Sequence, residues 1–387
     1  MPILPTAKAA GRESLQISLL TVEPRSNYVY TIYGHTALRL YDPSPDHMVD
    51  IVLNWGTFDS HLPGFLYRFM RGDADYFLSA TNFSLFCYAY SEANATIVEQ
   101  VLNIPEEGKE RLIESVTQNL KEENLKYRYN FLFDNCTTRP RNLIEEACGK
   151  RLLYPEQKEK TTFRKLIHNY TYPYPWLAFG IDLVVGSGAD SLLSTRNELF
   201  LPMGLLRTLN RSALQLVDGT KLPVVASSKI IIQSNDSDRI NYCFWTSPPA
   251  VGMLLFVIYA IIAYWGWRKR RRFRGFFAPG FLVAALAGFI IGFLVLFSAH
   301  PCMFPNWNLL WLHPFQLIAF FGYFFKKSYR FISWYHIVNL VLLSALLFGR
   351  FWSPQVLNTA NIPYICCLFL SSAYWLLIGK RITGKEK

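Results

Sequence analysis

Cysteine is scarce and unorganised in this chain. The seven cysteines include no CxxC pair and no spacing with histidine that is typical of a metal site. An odd number of cysteines without a regular spacing argues against a disulfide scaffold and is compatible with one reactive thiol. The run "GSG" at 186–188 lacks the lysine of a phosphate-binding loop and the GxGxxG spacing, so we interpret it as a turn. We predict no bound metal and no cofactor.

Acidic residues are almost absent from the C-terminal part. Residues 250–387 contain fourteen Lys and Arg but a single acid, Glu386. The first 249 residues hold 25 basic and 27 acidic side chains, so the net charge of +11 arises in the apolar C-terminal part. Lys and Arg clusters beside apolar runs are typical of the cytoplasmic ends of membrane spans. The charge therefore indicates a membrane protein and does not indicate nucleic acid as a partner.

Five apolar runs follow residue 249, each near the roughly 20 residues that a spanning helix requires; they cover 250–267, 277–298, 308–325, 331–349 and 362–379. Basic clusters at 268–274, 326–330 and 380–387 follow the first, third and fifth runs, whereas the two intervening loops hold only Arg350. The positive-inside rule makes all three clusters cytoplasmic. We expect a multi-pass protein of the bacterial inner membrane, with a periplasmic N-terminal domain and a cytoplasmic C-terminus.

The N-terminal part predicts an α+β domain. Residues 15–41 and 48–58 alternate like strands, and 91–124 have helical periodicity interrupted at Pro105. We expect a signal-peptide remnant or disordered tail at 1–14 and a periplasmic domain at 15–210. A β-rich connector at 211–249 and a five-helix transmembrane domain at 250–387 would follow.

Cys136 is the first candidate for chemistry. It lies in "YNFLFDNCTTRPRNLI", just before a predicted helix that Thr137 or Thr138 can cap and whose first position suits Pro140. A helix N-terminus and nearby positive charge lower the pKa of a thiol, and the thiolate is the nucleophile. The alternative is an inert cysteine that packs in the core. The backbone N–H of Cys136, with one further donor, is a candidate oxyanion hole.

His35, in "YGHTALRL", is the candidate general base, with small Gly34 beside it allowing close approach. A structural histidine is the alternative. If the hairpin turns around Ser44, positions 53 and 54 face His35. Asn54 is then the candidate that orients the imidazole, with Asp50 as the second choice and His47 less favoured.

Further residues are candidates for substrate contact or support. Arg39 and Asn135 lie beside the two motifs. The loop "HPCMFPNWNLLWLHP" carries His300, Asn306, Asn308 and His313, which could contact lipid headgroups or a lipoprotein. Interfacial anchoring is the alternative for its tryptophans.

A histidine on a strand followed by "NC" at a helix start resembles the circularly permuted papain-like fold of NlpC/P60-related hydrolases and thiol acyltransferases. More closely, "YGHTALRL", "VLNWGTFD", "YNFLFDNCTTRPRNLI", "GIDLVVGSGADS" and "ELFLPMGLL" resemble the Lnb family, lipoprotein N-acyltransferases of Bacteroidota. The likeness extends over nearly the whole chain, and the N-terminus departs from it by lacking a complete signal sequence.

The resemblance implies a cofactor-free acyltransferase. Cys136 would take an acyl chain from a membrane phospholipid, with His35 as base, and hold it as a thioester. The α-amine of a diacylglyceryl-cysteine lipoprotein would then accept it. A membrane-bound cysteine peptidase or amidase acting on cell-wall or envelope peptides is the alternative enzyme. A non-enzymatic envelope protein with a structural Cys136 is the third hypothesis.

Overall fold

The computed structural model describes residues 14–25, 28–45, 48–157, 159–235, 243–324 and 329–383. Most of the expected tail at 1–14, His47 and parts of the second and third basic clusters lie outside these ranges. The chain divides into two compact units. The first comprises Met1–Tyr170 and Leu192–Ile240, and the second comprises Thr171–Ser191 and Asn241–Lys387.

The first unit is built on β-strands, which are β1 (Gln16–Val22), β2 (His35–Asp42), β3 (Val49–Thr57), β4 (Asp75–Asn82), β5 (Ile97–Leu102), β6 (Lys126–Arg128), β7 (Leu152–Leu153), β8 (Ala213–Gln215), β9 (Lys221–Pro223) and β10 (Val225–Ile232). Seven of them pair antiparallel in the order β10–β5–β1–β2–β3–β4–β6. A small second sheet has the order β7–β8–β9.

Helices cover both faces of the main sheet. Those of the first unit are α1 (Phe65–Arg71), α2 (Phe83–Glu92), α3 (Glu106–Asn119), α4 (Thr138–Cys148), α5 (Phe163–Thr171), α7 (Thr195–Glu198) and α8 (Pro202–Leu209). The intervening α6 (Pro175–Val184) lies in the second unit. The interior strand β1 contains the mostly apolar run "ISLLTV", and both its faces are buried. Leu19 packs in the core that includes α3 and α4, whereas Leu20 packs in the core that includes Phe86 of α2.

The segment expected to be a connector completes the main sheet. β10 pairs with β5, which places Lys229 opposite Glu99, and β8 and β9 form most of the second sheet. The strands of 211–232 therefore belong to the sheets of the first unit. The predicted α+β class is confirmed.

The second unit is helical, with α9 (Pro248–Lys269), α10 (Arg274–Phe297), α11 (Gln316–Gly322), α12 (Tyr329–Gly349) and α13 (Asn361–Thr383). Within the described residues, four of its helices, α9, α10, α12 and α13, are long and apolar enough to cross a membrane. They match four of the five predicted spans.

The predicted third span, 308–325, has a different local structure. A 3-10 helix over Trp307–Leu310 is followed by α11, which has only 7 residues. Pro314 lies between the two helices. Proline interrupts a continuous helix because it has no backbone N–H to donate and its ring clashes with the preceding turn. Residues 325–328 lie outside the described ranges.

Residues 171–191, expected in the periplasmic domain, pack with the membrane helices. The Nδ2 of Asn306 donates to the carbonyls of Leu183 and Val184, at 2.9 and 3.0 Å. The Nδ2 of Asn308 donates to the carbonyl of Asp182 at 2.9 Å. These bonds satisfy carbonyls that the last turn of α6 leaves without intrahelical partners.

Candidate active site

The β2–β3 hairpin brings His35 and Asn54 together. Leu38 lies opposite Leu53 and Asp42 opposite Val49, so the turn is centred beyond the predicted Ser44. Continuing this register places Gly56, rather than residue 53 or 54, opposite His35. Asn54 reaches the imidazole diagonally, and its Oδ1 lies 3.3 Å from Nε2 of His35.

Two glycines permit the close approaches at this site. Gly34 has φ +80°, and a Cβ there would lie 2.5 Å from the carbonyl oxygen of Val22. Gly56 has φ +102° and lies where the β3–β4 register shifts. A Cβ at Gly56 would lie 3.2 Å from Cβ of Cys136 and 4.0 Å from Cε1 of His35. The missing side chain therefore makes room for the thiol and the imidazole to meet.

Asn135 fixes the loop that presents Cys136. Its Oδ1 accepts hydrogen bonds from the backbone N–H groups of Thr137 and Thr138, at 2.8 and 2.9 Å. Its Nδ2 donates to the carbonyls of Phe131 and Phe200. Asn135 thus caps the start of α4 from one residue before the thiol, whereas the sequence predicted a threonine cap at Thr137 or Thr138. Pro140 falls in the first turn, two residues after the helix begins at Thr138.

The thiol of Cys136 and the imidazole of His35 lie close enough that each shifts the pKa of the other. Burial alone would raise the pKa of the Cys136 thiol. The charge and hydrogen bond of His35 outweigh burial, so that the pKa lies below its usual value. The backbone N–H of Thr36 and the hydroxyl of Thr137 act in the same direction, the hydroxyl oxygen being 3.9 Å from Sγ.

The same pair raises the pKa of His35. Burial opposes protonation of the ring, but the charge and hydrogen bond of Cys136 and the hydrogen bond to Asn54 more than compensate. Because Asn54 engages Nε2, Nδ1 is the nitrogen left to face the thiol. The two shifts favour a thiolate beside an imidazolium.

Asp50 is not brought to this imidazole. It accepts a bidentate pair from Arg39, at 2.7 and 2.8 Å, and lies four residues, or roughly 13 Å of strand, from Asn54. Arg39 also donates to buried Glu99 at 2.9 Å and stacks on Phe83, 3.5 Å from the ring centre. Arg39 and Asp50 therefore join strands and α2, away from the thiol.

Four buried or partly buried tyrosines interact electrostatically with the thiol. Burial raises the pKa of Tyr76, Tyr90, Tyr127 and Tyr129, and the charge of the thiolate adds to the effect. These phenols stay protonated near neutral pH, so none of them competes with His35 as a base. Neither these tyrosines nor Gly56 was predicted from the sequence. The glycine inside "NWGTF" was the available signal, since glycine within a strand often marks a bulge or a close approach.

The other candidates lie in the second unit. The amides of Asn306 and Asn308 hold the end of α6, and Oδ1 of Asn308 accepts from Nε1 of Trp311 at 3.1 Å. Trp311 is thereby buried inside this unit. His300 is also buried, and its backbone N–H donates to Oγ of Ser298. Across the ranges that the structure describes, no three His, Cys, Asp or Glu side chains are grouped to hold a metal ion.

Comparison with known proteins agrees with this architecture. A family model described as the Lnb N-terminal periplasmic domain matches residues 7–169, and one described as the Lnb transmembrane domain matches residues 240–382. No curated protein and no solved structure matched the chain. Membership of this family suggests a lipoprotein-modifying membrane enzyme. With both of its domains present and in order, the chain belongs to the Lnb family and is a membrane protein with a periplasmic N-terminal domain.

Proposed function

We propose that this protein is a lipoprotein N-acyltransferase that works through a thioester on Cys136. The observation that carries the proposal is the pairing of Cys136 and His35 beside Gly56, with pKa shifts that favour thiolate and imidazolium. A family of lipoprotein-modifying membrane enzymes supplies the substrate class. Cys136, His35 and Asn54 form the proposed catalytic group.

The first half-reaction acylates the enzyme. The thiolate of Cys136 attacks the ester carbonyl of a phospholipid, and a C–S bond forms. The C–O bond of the ester then breaks, and the imidazolium of His35 gives its proton to the departing alkoxide of the lysophospholipid. Oδ1 of Asn54 accepts a hydrogen bond from Nε2 and keeps the ring oriented for this transfer.

The second half-reaction transfers the chain. The free α-amine of a diacylglyceryl-cysteine lipoprotein attacks the thioester carbonyl and forms an amide. The C–S bond breaks, the thiolate of Cys136 returns, and neutral His35 takes the proton that the amine loses. A thioester is reactive toward an amine without any nucleotide, which suits a periplasmic domain.

The tetrahedral intermediates require a donor for their oxyanion. The N–H groups of Thr137 and Thr138 are engaged by Asn135. We therefore propose that the backbone N–H of Cys136 itself is the donor that stabilises the oxyanion at the start of the helix. Asn135 acts as a positioning residue, since its contacts are to the loop backbone.

We also propose a cytoplasmic C-terminus in the bacterial inner membrane. α11 rises only about 10 Å, too little to cross a membrane as a helix. Irregular backbone at membrane depth is tolerated where protein buries it, and Trp311, Leu312 and Gln316 are buried. A broken crossing over 307–324 would put all three basic clusters on one side. Reporter fusions after Gly349 and after Lys387 should report periplasm and cytoplasm respectively, and a periplasmic signal at Lys387 would refute this topology.

The catalytic proposal is tested in cells that lack any other N-acyltransferase, by mass spectrometry of lipoprotein N-termini. Cys136→Ser and His35→Ala should abolish N-acylation, and a thioester-linked acyl chain should be trapped on wild-type Cys136. Cys87→Ser is the matched control, because Cys87 is a partly buried thiol of the same unit whose pKa is raised by burial. N-acylation that persists in Cys136→Ser would refute the proposal. Cleavage of envelope peptides without acyl transfer would favour the peptidase.

A further inference from the structure

A cavity of about 490 Å³ opens beside the reacting pair in the first unit. Its volume falls within the roughly 300–1,000 Å³ of ligand sites. His35, Asn54 and Gly56 form part of its wall. Because a Cβ at Gly56 would lie 3.2 Å from Cβ of Cys136, this part of the wall adjoins the residue that carries the thiol.

One side of the cavity is apolar. It is formed by one face of α2, where the lining side chains recur at helical spacing and comprise Leu85, Phe86, Ala89, Tyr90 and the following Ala93. Phe58 continues this surface from the end of β3. The lining also includes short hydroxyl side chains, and Oγ1 of Thr57 lies 2.8 Å from Oγ of Ser79. These two hydroxyls bond to each other, which lowers the cost of placing an apolar group against them.

The mouth of the cavity exposes large apolar side chains. Tyr28 and Tyr30 stack with ring centres 5.3 Å apart and are 62% and 60% exposed, and Leu85 is 60% exposed. Exposed apolar groups around an opening mark an interaction site. Glu23 and Arg25 also line the cavity, where the chain leaves β1. An opening with apolar and charged parts fits a lipid, which has both.

We propose that this cavity holds the acyl chain of the thioester on Cys136 and selects its length, an inference that rests on the proposed function. The thioester carbonyl is attached to Sγ, so the chain must leave from the thiol, and the cavity that begins at Gly56 receives it. The acyl chains of the acceptor are attached several bonds away from its amine, so the same cavity is not positioned for them. Ala89 and Ala93, the smallest side chains on the apolar wall, leave the space for the distal methylenes.

The test uses the full-length protein in vesicles of phosphatidylethanolamine that carry equal amounts of dodecanoyl, tetradecanoyl and hexadecanoyl chains. The chain trapped on Cys136 and the chain on the product amine are identified by mass spectrometry. Each methylene that loses apolar contact lowers the specificity constant by about fourfold, the equivalent of ~0.8 kcal/mol. Ala89→Leu should therefore reduce hexadecanoyl relative to dodecanoyl transfer by about tenfold or more, and Ala89→Phe by more still. Ala93→Leu provides an independent second substitution.

Ser91→Leu is the matched control, because Ser91 is exposed on α2 and does not line the cavity. It should leave the chain preference unchanged. The proposal would be overturned if the substitutions of Ala89 and Ala93 reduced transfer of all three acyl chains equally, or if they left the preference for chain length unchanged. A changed preference for the acyl chains of the acceptor, with donor preference intact, would also overturn it by assigning the cavity to the acceptor. If wild-type protein forms no acyl-Cys136, the proposed function itself fails, which this experiment reports separately.

Discussion

Replacing Gly56 with alanine should separate the strain of its backbone from its role beside the thiol. With φ at +102°, a side chain is strained whatever the surrounding space, and such strain costs on the order of 1–3 kcal/mol in the free energy of unfolding. The added Cβ would also lie 3.2 Å from Cβ of Cys136, so that the loop must give way by a few tenths of an ångström.

The effect on catalysis follows from that displacement. A misplacement of about 1 Å costs on the order of 100-fold in rate, so a few tenths should cost about tenfold. Gly219→Ala is the matched control, because Gly219 has φ +83° and open space around it. Both variants should lose about 1–3 kcal/mol in stability, but Gly56→Ala should also lose N-acylation.

Alkylation by iodoacetamide across pH measures the thiolate directly, with peptide mass spectrometry reporting Cys136 apart from the other thiols. In Gly56→Ala the alkylation of Cys136 should shift to higher pH, because the thiol moves away from the imidazolium that lowers its pKa. Unfolding followed by circular dichroism gives the stability of each variant. If Gly56→Ala is alkylated and acylates at the wild-type rate while losing as much stability as Gly219→Ala, the reasoning about close approach is wrong.

Three further predictions follow from other contacts. His35→Ala should move the alkylation of Cys136 to higher pH, since burial, which raises the thiol pKa, then acts without the opposing imidazolium; an unmoved profile would contradict the pair. Asn54→Ala should lower the pKa of His35, because it removes a hydrogen bond that raises this pKa. The alkaline limb of the kcat profile should then move to lower pH, and kcat should fall about tenfold or more. Asp50→Asn is the control, which should leave kcat unchanged and lower the free energy of unfolding by about 1–3 kcal/mol. Asn308→Leu should cost about 1–3 kcal/mol in thermal unfolding in detergent, because carbonyls at the end of α6 lose a buried donor; unchanged unfolding would exclude that role.

The strands and long helices were predictable because their patterns are local. Alternation marked β2 and β3, and apolar length marked α9, α10, α12 and α13. The 308–325 run was less predictable, since a hydropathy average does not register the single proline at 314. The membership of 171–191 was not predictable either, because it depends on amides of Asn306 and Asn308 more than 100 residues away.

The sequence by itself determined which candidate groups the chain carries. It determined a lone thiol before a helix, a histidine on a strand after glycine, and an apolar C-terminal part with almost no acids, all of which are properties of neighbouring residues. Only the tertiary structure decided which groups meet. The hairpin register places Gly56 opposite His35 and pairs Asp50 with Arg39. The loop that Asn135 holds brings Cys136 to the imidazole of His35, which is 101 residues earlier in the chain. Register and long-range approach depend on the packing of the whole sheet, which no local stretch encodes.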